Sequence, residues 1–222
     1  IESNDYQRFA AVLQRLEDRL GQKWHAAVTN LTSGGLTVAF DLPTRGTVAL
    51  AQAADEQAAE KARAALVELA EEITREQGRP GAIQKSDHRD TAIHSAGEAH
   101  LAVVGKWLIL SNKKPLVLAV LDSYQGQSET LAADAQFQTV SKTRPTTAAA
   151  WAYGDLRVLR LTGMLRNALS KKSDNPPAEV LAGGVLGALP DPPYVTASLD
   201  LNPERIKLTT SLPCDPKAVA KT

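Results

Sequence analysis

The stretch HLAVVGKWLILSNKKPL, His100 to Leu116, limits the fold more than any other part of the chain. Two short apolar runs meet at Gly105 and Lys106. A two-residue connection with glycine at its first position closes an antiparallel β-hairpin, because that position needs a positive φ. The pattern predicts strands over residues 99–104 and 107–111. Pro115 then opens a helix, since the first helical position has no use for the N–H that proline lacks. Strand passes directly into helix, so sheet and helix are neighbours in the fold.

The same junction recurs in TVALAQAADEQ and AAWAYGDLRV as a faint internal repeat. Elsewhere the periodicity changes from element to element. Tyr6, Phe9, Leu13, Leu16 and Leu20 share one face of an N-terminal helix that Gly21 ends. Short runs rich in Val, Thr and Leu, punctuated by SGG at 33–35 and PTRG at 43–46, predict strands over 26–31, 36–42 and 47–52. Asp55 opens the strongest helix, with an acidic first turn, an inner stripe of Ala62, Leu66, Leu69 and Ile73, and an end at Gly78 and Pro80. Small residues around that stripe point to close packing on a sheet. Extended segments near 82–87 and 91–95 lead into the central hairpin.

Beyond it, a short helix follows Asp134, TTAAAWAYGDL is a strand, and Asp155 caps a helix in LRVLRLTGMLRNALSKK. KKSDNPP reads as a loop, AEVLAGGVLGAL as a glycine-loosened helix, and YVTASLDL with ERIKLTTSL as a closing hairpin. Strands in meanders between helices predict an α+β fold, mainly antiparallel sheet with helices packed on one face, rather than a doubly wound parallel sheet. The 222 residues suffice for one such domain, or for two tightly packed α+β subdomains with a boundary near 125–145. The start at Ile1 and the finish at KAVAKT read as the ends of a piece of a longer protein.

Charge removes several classes of partner. Lys plus Arg equals Asp plus Glu at 25 each, so no net field draws the chain to nucleic acid or an anionic membrane. The longest aliphatic run, LVLAVL at Leu116 to Leu121, is far short of the roughly 20 residues that cross a bilayer. Cys214 is the single cysteine. It cannot form an intrachain disulfide, a CxxC pair or a cysteine zinc knuckle, and with no His or Asn near it in sequence it reads as an inert thiol.

Three of the four histidines recur at intervals of six in SDHRDTAIHSAGEAH: His88, His94 and His100, with Asp87, Asp90 and Glu98 among them. A turn at SAGE centred on Gly97 would set His94 opposite His100 on neighbouring strands, close enough to approach one cation, with Glu98 or His88 as a third ligand. The competing reading makes them a polar pair on a solvent-facing sheet edge and gives Asp87 and Asp90 to turn formation. That reading is preferred, and no residue is assigned a catalytic, cofactor-binding or metal-binding role. Glu68, Glu71, Glu72 and Glu76 lie a helical turn apart, on one helix with Arg75, which marks a solvated charged face rather than carboxylates converging across a cleft. Trp24, Trp107 and Trp151 could stack on a ligand, but Trp107 and Trp151 stand among aliphatics in predicted strands and read as packing. VVGKW lacks the P-loop spacing and its Ser or Thr, AGGVLG lacks the first glycine of a dinucleotide fingerprint, and HRD lacks the rest of a kinase.

The run HLAVVGKWLILSNKKPLVLAVLDSYQGQSETLAADAQFQTVSKTRPTTAAAWAYGDL resembles a pattern in uncharacterised bacterial envelope proteins known only as domains of unknown function. There a VGKWLILSN-like strand leads to a helix, an LAADAQF-like turn and helix follow, and an AWAYGDL-like strand closes the unit. The likeness spans residues 100–156 and rests on structural residues. It implies a fold and an exported or membrane-anchored setting, and names no ligand or cofactor. The reading that follows is a non-catalytic extracytoplasmic binding or interaction domain, with a protein or small molecule as partner. The alternatives are a metal-dependent hydrolase using His94 and His100, and a small-molecule carrier with an apolar pocket under the Ala-rich helix.

Overall fold

The computed structural model describes residues 3–161 and 193–213. Cys214, the AEVLAGGVLGAL helix, the KKSDNPP loop and the later part of the LRVLRLTGMLRNALSKK helix lie outside them. The chain divides into two units, Ile1–Glu129 and Thr130–Thr222. In chain order the first holds α1 (Ser3–Leu20), α2 (Trp24–Leu31), β1 (Gly35–Asp41), β2 (Gly46–Gln52), α3 (Glu56–Glu76), β3 (Ile83–His88), β4 (Thr91–Ala96), β5 (Ala99–Val104), β6 (Trp107–Ser111) and α4 (Lys114–Tyr124). The second holds a 3-10 turn (Leu131–Ala133), α5 (Ala135–Ser141), β7 (Ala150–Asp155), α6 (Leu156–Leu161), β8 (Tyr194–Asn202) and β9 (Arg205–Ser211). Mixed helices and antiparallel sheet make this an α+β fold.

The six strands of the first unit form one antiparallel sheet in the order β1-β2-β6-β5-β4-β3. The hairpin of β5 and β6 sits inside it. Gly105 takes the positive φ of 53° that the two-residue turn demands, and Val104 pairs with Trp107. Because side chains alternate, an apolar run without polar interruption needs cover on both sides. Both sides have it. Ala102 and Ile109 meet Val117 and Leu121 of α4. Leu101, Val103 and Leu108 meet Ala59 of α3 on the other face. The expectation of helices on one face of the sheet is therefore corrected: α4 covers one face and α3 the other.

A second correction concerns residues 26–31, expected as a strand and found as α2. Val28, Thr29 and Thr32 gave the segment its β character, but the start of the helix is settled from outside. The Glu17 carboxylate of α1 accepts from the Trp24 N–H at 3.0 Å and from Lys23 Nζ at 2.8 Å. An acceptor at a helix N-terminus satisfies a donor that the helix itself cannot. Those two donors hold the Glu17 carboxyl below the usual carboxylate range, the Lys23 ammonium contributing most. Ala27 then packs on Leu20 and on Ala65 of α3.

The second unit carries a three-stranded antiparallel sheet, β7-β8-β9. Asp134 caps α5 by accepting from Phe137 N at 2.8 Å. Phe137 sits edge-on to Trp151 and Tyr153 of β7, at centroid distances of 6.0 and 5.2 Å, and Gln136 Nε2 donates to the Tyr153 hydroxyl at 2.6 Å. Aromatic edges against aromatic faces fix the short helix to its strand.

Candidate interaction surface

The histidine segment folds into β3, β4 and β5, and the register decides its chemistry. The turn between β4 and β5 holds two residues, Gly97 and Glu98, with Ala96 paired to Ala99. The expected turn was centred on Gly97; this one is centred half a residue later. That shift moves every pairing by one, so His94 faces Leu101 and His100 faces Ser95. His94 and His100 consequently point to opposite faces of the sheet and cannot share a cation.

Each histidine has its own partner. Arg63 of α3 donates from Nη1 to His94 Nε2 at 3.0 Å. A guanidinium only donates, so this nitrogen accepts and the ring is neutral. Burial, then Arg63 and Lys85, lowers the His94 pKa. His100 Nδ1 lies 2.8 Å from Ser95 Oγ on the α4 face, and burial followed by the Lys114 charge lowers its pKa as well. His88 Nε2 donates to Asp122 Oδ1 of α4 at 2.9 Å, an oxygen that also accepts from Arg89 Nε at 2.6 Å. Asp87 and Asp90 flank that contact without joining it; Asp90 follows Arg89 in a two-residue turn where both take a positive φ, 46° and 62°. Among the described residues no three His, Cys, Asp or Glu side chains converge to hold a metal. The hydrolase built on His94 and His100 is thereby set aside.

The two lowered histidines give a pH dependence with a definite sign. A histidine whose folded pKa lies below its ordinary 6.5 binds fewer protons folded than unfolded in the interval between. Stability is then present above 6.5 and is lost as pH falls through that interval. Urea midpoints at about pH 7.5 and about pH 5 should therefore show a decline that His94→Gln reduces. A midpoint that falls equally in the variant would mean that His94 is not among the groups responsible.

The α3 carboxylates are interhelical ties. Arg15 Nη1 of α1 lies 3.1 Å from Glu72 and 2.8 Å from Glu76, and Arg19 pairs with Glu72 and, at 3.9 Å, with Glu68. Glu71 has no place in that set. The small residues of α3 pack directly onto neighbours, Ala59 on the sheet and Ala65 on Leu20 and Ala27. Trp24 lies exposed on α2, Trp107 is half-buried at the start of β6, and Trp151 belongs to the aromatic cluster of the second unit.

What the sequence reading passed over is the apolar side of β1. This strand is an edge, paired only to β2. Its alternate residues Leu36, Val38 and Phe40 are 60%, 47% and 72% exposed. Val38 pairs with Ala49 of β2 and Ala49 with Leu110 of β6, itself 42% exposed, so one row crosses three strands on the α3 face. The signal of β1 in the sequence was GLTVAFD, with apolar residues at every second place and no lysine. No protein-family model, curated protein or solved structure matches the chain.

Proposed function

We propose that the chain is a non-catalytic interaction module that associates with a second copy of itself through β1. The observation that carries this reading is the exposure of Leu36, Val38 and Phe40 on an unpaired edge strand. Such an edge offers free N–H and C=O groups to another strand, and edges that must stay single usually carry lysine, proline or a bulge. The far edge of the same sheet, β3, carries Lys85 and Asp87, and β9 of the second unit carries Arg205 and Lys207. β1 has a single charge, Asp41, at its end.

The sequence of β1 suits its own copy. Antiparallel pairing about Val38 sets Leu36 of one copy opposite Phe40 of the other, both on the apolar face, and separates the two Asp41 carboxylates to opposite ends. Side chains at these exposures present on the order of 100 Å² each; with the strand edges, two copies bury roughly 1,000 Å², the least that a specific association needs. Association in the range of about 10 to 100 µM follows from so small an area. The likeness of residues 100–156 to bacterial envelope proteins supports placing this module outside the cytoplasm, and export of a reporter fused to the intact gene product tests that part.

Sedimentation across that concentration range tests the association. Wild type should pass from monomer to dimer, and Val38→Lys should remain monomeric, because the two ammonium groups would meet at the two-fold centre. An unchanged urea midpoint shows that the variant is folded. A wild type that stays monomeric throughout, or a dimer that survives in Val38→Lys, overturns the reading.

A further inference from the structure

A different part of the molecule, the second unit, carries a cleft of about 320 Å³. Its floor is set by register. Trp151 pairs with Ser198 and Ser198 with Thr209; two residues along, Thr196 pairs with Ser211. All five side chains stand on one face of the sheet, because positions two apart on a strand and positions directly opposite share a face. Tyr194, two residues before Thr196, adds a second ring to that face, 6.1 Å from Tyr153 by centroids. The result is a two-by-two grid of hydroxyls, Thr196, Ser198, Thr209 and Ser211, beside an indole and a phenol, and the turn after α5 borders it.

The chemistry of this lining is selective. None of the described residues that line the cleft is charged. Charges stand close by in opposed sets: Arg157 Nη2 lies 2.7 Å from Asp155 and 3.4 Å from Asp134, and Asp200 faces Lys207 across β8 and β9, two residues beyond Ser198 and Thr209 on the same face. Among the described residues that line it, an anion would find no cation and a metal no carboxylate or imidazole. A purely apolar ligand would leave four hydroxyls facing hydrocarbon, which costs more than it gains. Serine and threonine hydroxyls both donate and accept, and they suit a ligand whose own groups do the same. Trp151 and Tyr194, each stacked on Tyr153, both line the cleft, and the ring surface they leave toward it suits a ring with an apolar side. We infer that this cleft binds a neutral sugar, with one ring face against the aromatic side chains and its hydroxyls on the Thr196, Ser198, Thr209 and Ser211 grid. A volume at the lower end of ligand pockets, which run from roughly 300 to 1,000 Å³, admits one or two such rings.

The test uses the whole chain, labelled with nitrogen-15, titrated with the neutral trisaccharides maltotriose and chitotriose and with trigalacturonate as the charged counterpart. At least one neutral sugar should shift the amides of Thr143, Arg144, 194–198 and 209–212 to saturation, and trigalacturonate should not. The double variant Thr209→Val, Ser211→Ala removes two hydroxyls from the exposed strand β9, and an otherwise unchanged amide spectrum shows that it is folded. It should bind about tenfold more weakly, the loss of one or two modest hydrogen bonds. No saturable shift with either neutral sugar up to about 50 mM, equal shifts with trigalacturonate, or undiminished affinity in the double variant would each overturn the assignment.

Discussion

Replacing Ile109 by alanine should lower the stability of the first unit by about 3 to 4 kcal/mol, in the middle of the range for truncating a buried aliphatic side chain. Ile109 has no exposed surface and lies on β6, inside the six-stranded sheet. It is flanked in register by Leu50 of β2 and Ala102 of β5 and is roofed by Val117 and Leu121 of α4. The neighbours cannot close the gap. The strands on either side are held by their ladder hydrogen bonds, and Ala102 is already too small to fill it, so most of the removed volume stays as a cavity. Its sequence neighbour makes the comparison. Leu110 points to the other face and is 42% exposed, and Leu110→Ala should cost under about 1 kcal/mol. Urea denaturation of the two variants decides the matter. Similar losses would mean that β6 is not buried by α4 as described.

This contrast was partly legible in the sequence. The runs LAVV and WLIL have no polar residue at alternate places, and that is the mark of a strand covered twice. Reading them as half of a one-sided sheet ignored it. Element existence came through well wherever a local signal was strong: Asp55 caps α3 by accepting from Ala58 N at 2.7 Å, Asp134 caps α5, and Gly105 turns the central hairpin. α2 failed because its start depends on Glu17, seven residues upstream of Trp24, and no local propensity can register a cap supplied by another helix.

The candidate chemistry was harder to read, for a related reason. Spacing along SDHRDTAIHSAGEAH names ligand-type side chains but leaves register open, and a single-residue difference in the turn sends His94 to Arg63 and His100 to Ser95. The cleft of the second unit is further from view. It joins Trp151 of β7 to Ser198 and Thr209 of a hairpin that lies far along the chain, and threonine and serine in a strand look like ordinary solvent-facing residues. β1 was the one surface readable in advance, since alternation at Leu36, Val38 and Phe40 without a lysine says both that the strand has an apolar face and that its edge is unguarded.

The alanines of α3 offer the opposite experiment to truncation. Ala59 has no exposed surface and belongs to one buried cluster with Ala53, Leu101, Val103 and Leu108, so the helix lies against β5 and β6 with a methyl as its spacer. Ala65, less than two turns on, is spacer to Leu20 and Ala27 on the side of α1 and α2. A larger side chain at the first position must lift α3 from the sheet. The ties to α1, from Arg15 and Arg19 to Glu68, Glu72 and Glu76, resist that movement by holding the far part of the helix. Ala59→Leu should therefore cost about 2 to 3 kcal/mol despite adding apolar surface, because overpacking displaces backbone as well as side chains. Ala58, the preceding residue, is half-buried at the margin of the same cluster, and Ala58→Leu should change stability by less than about 1 kcal/mol. If Ala59→Leu were neutral or stabilising in urea denaturation, α3 would have to stand further from the sheet than its alanine contacts require.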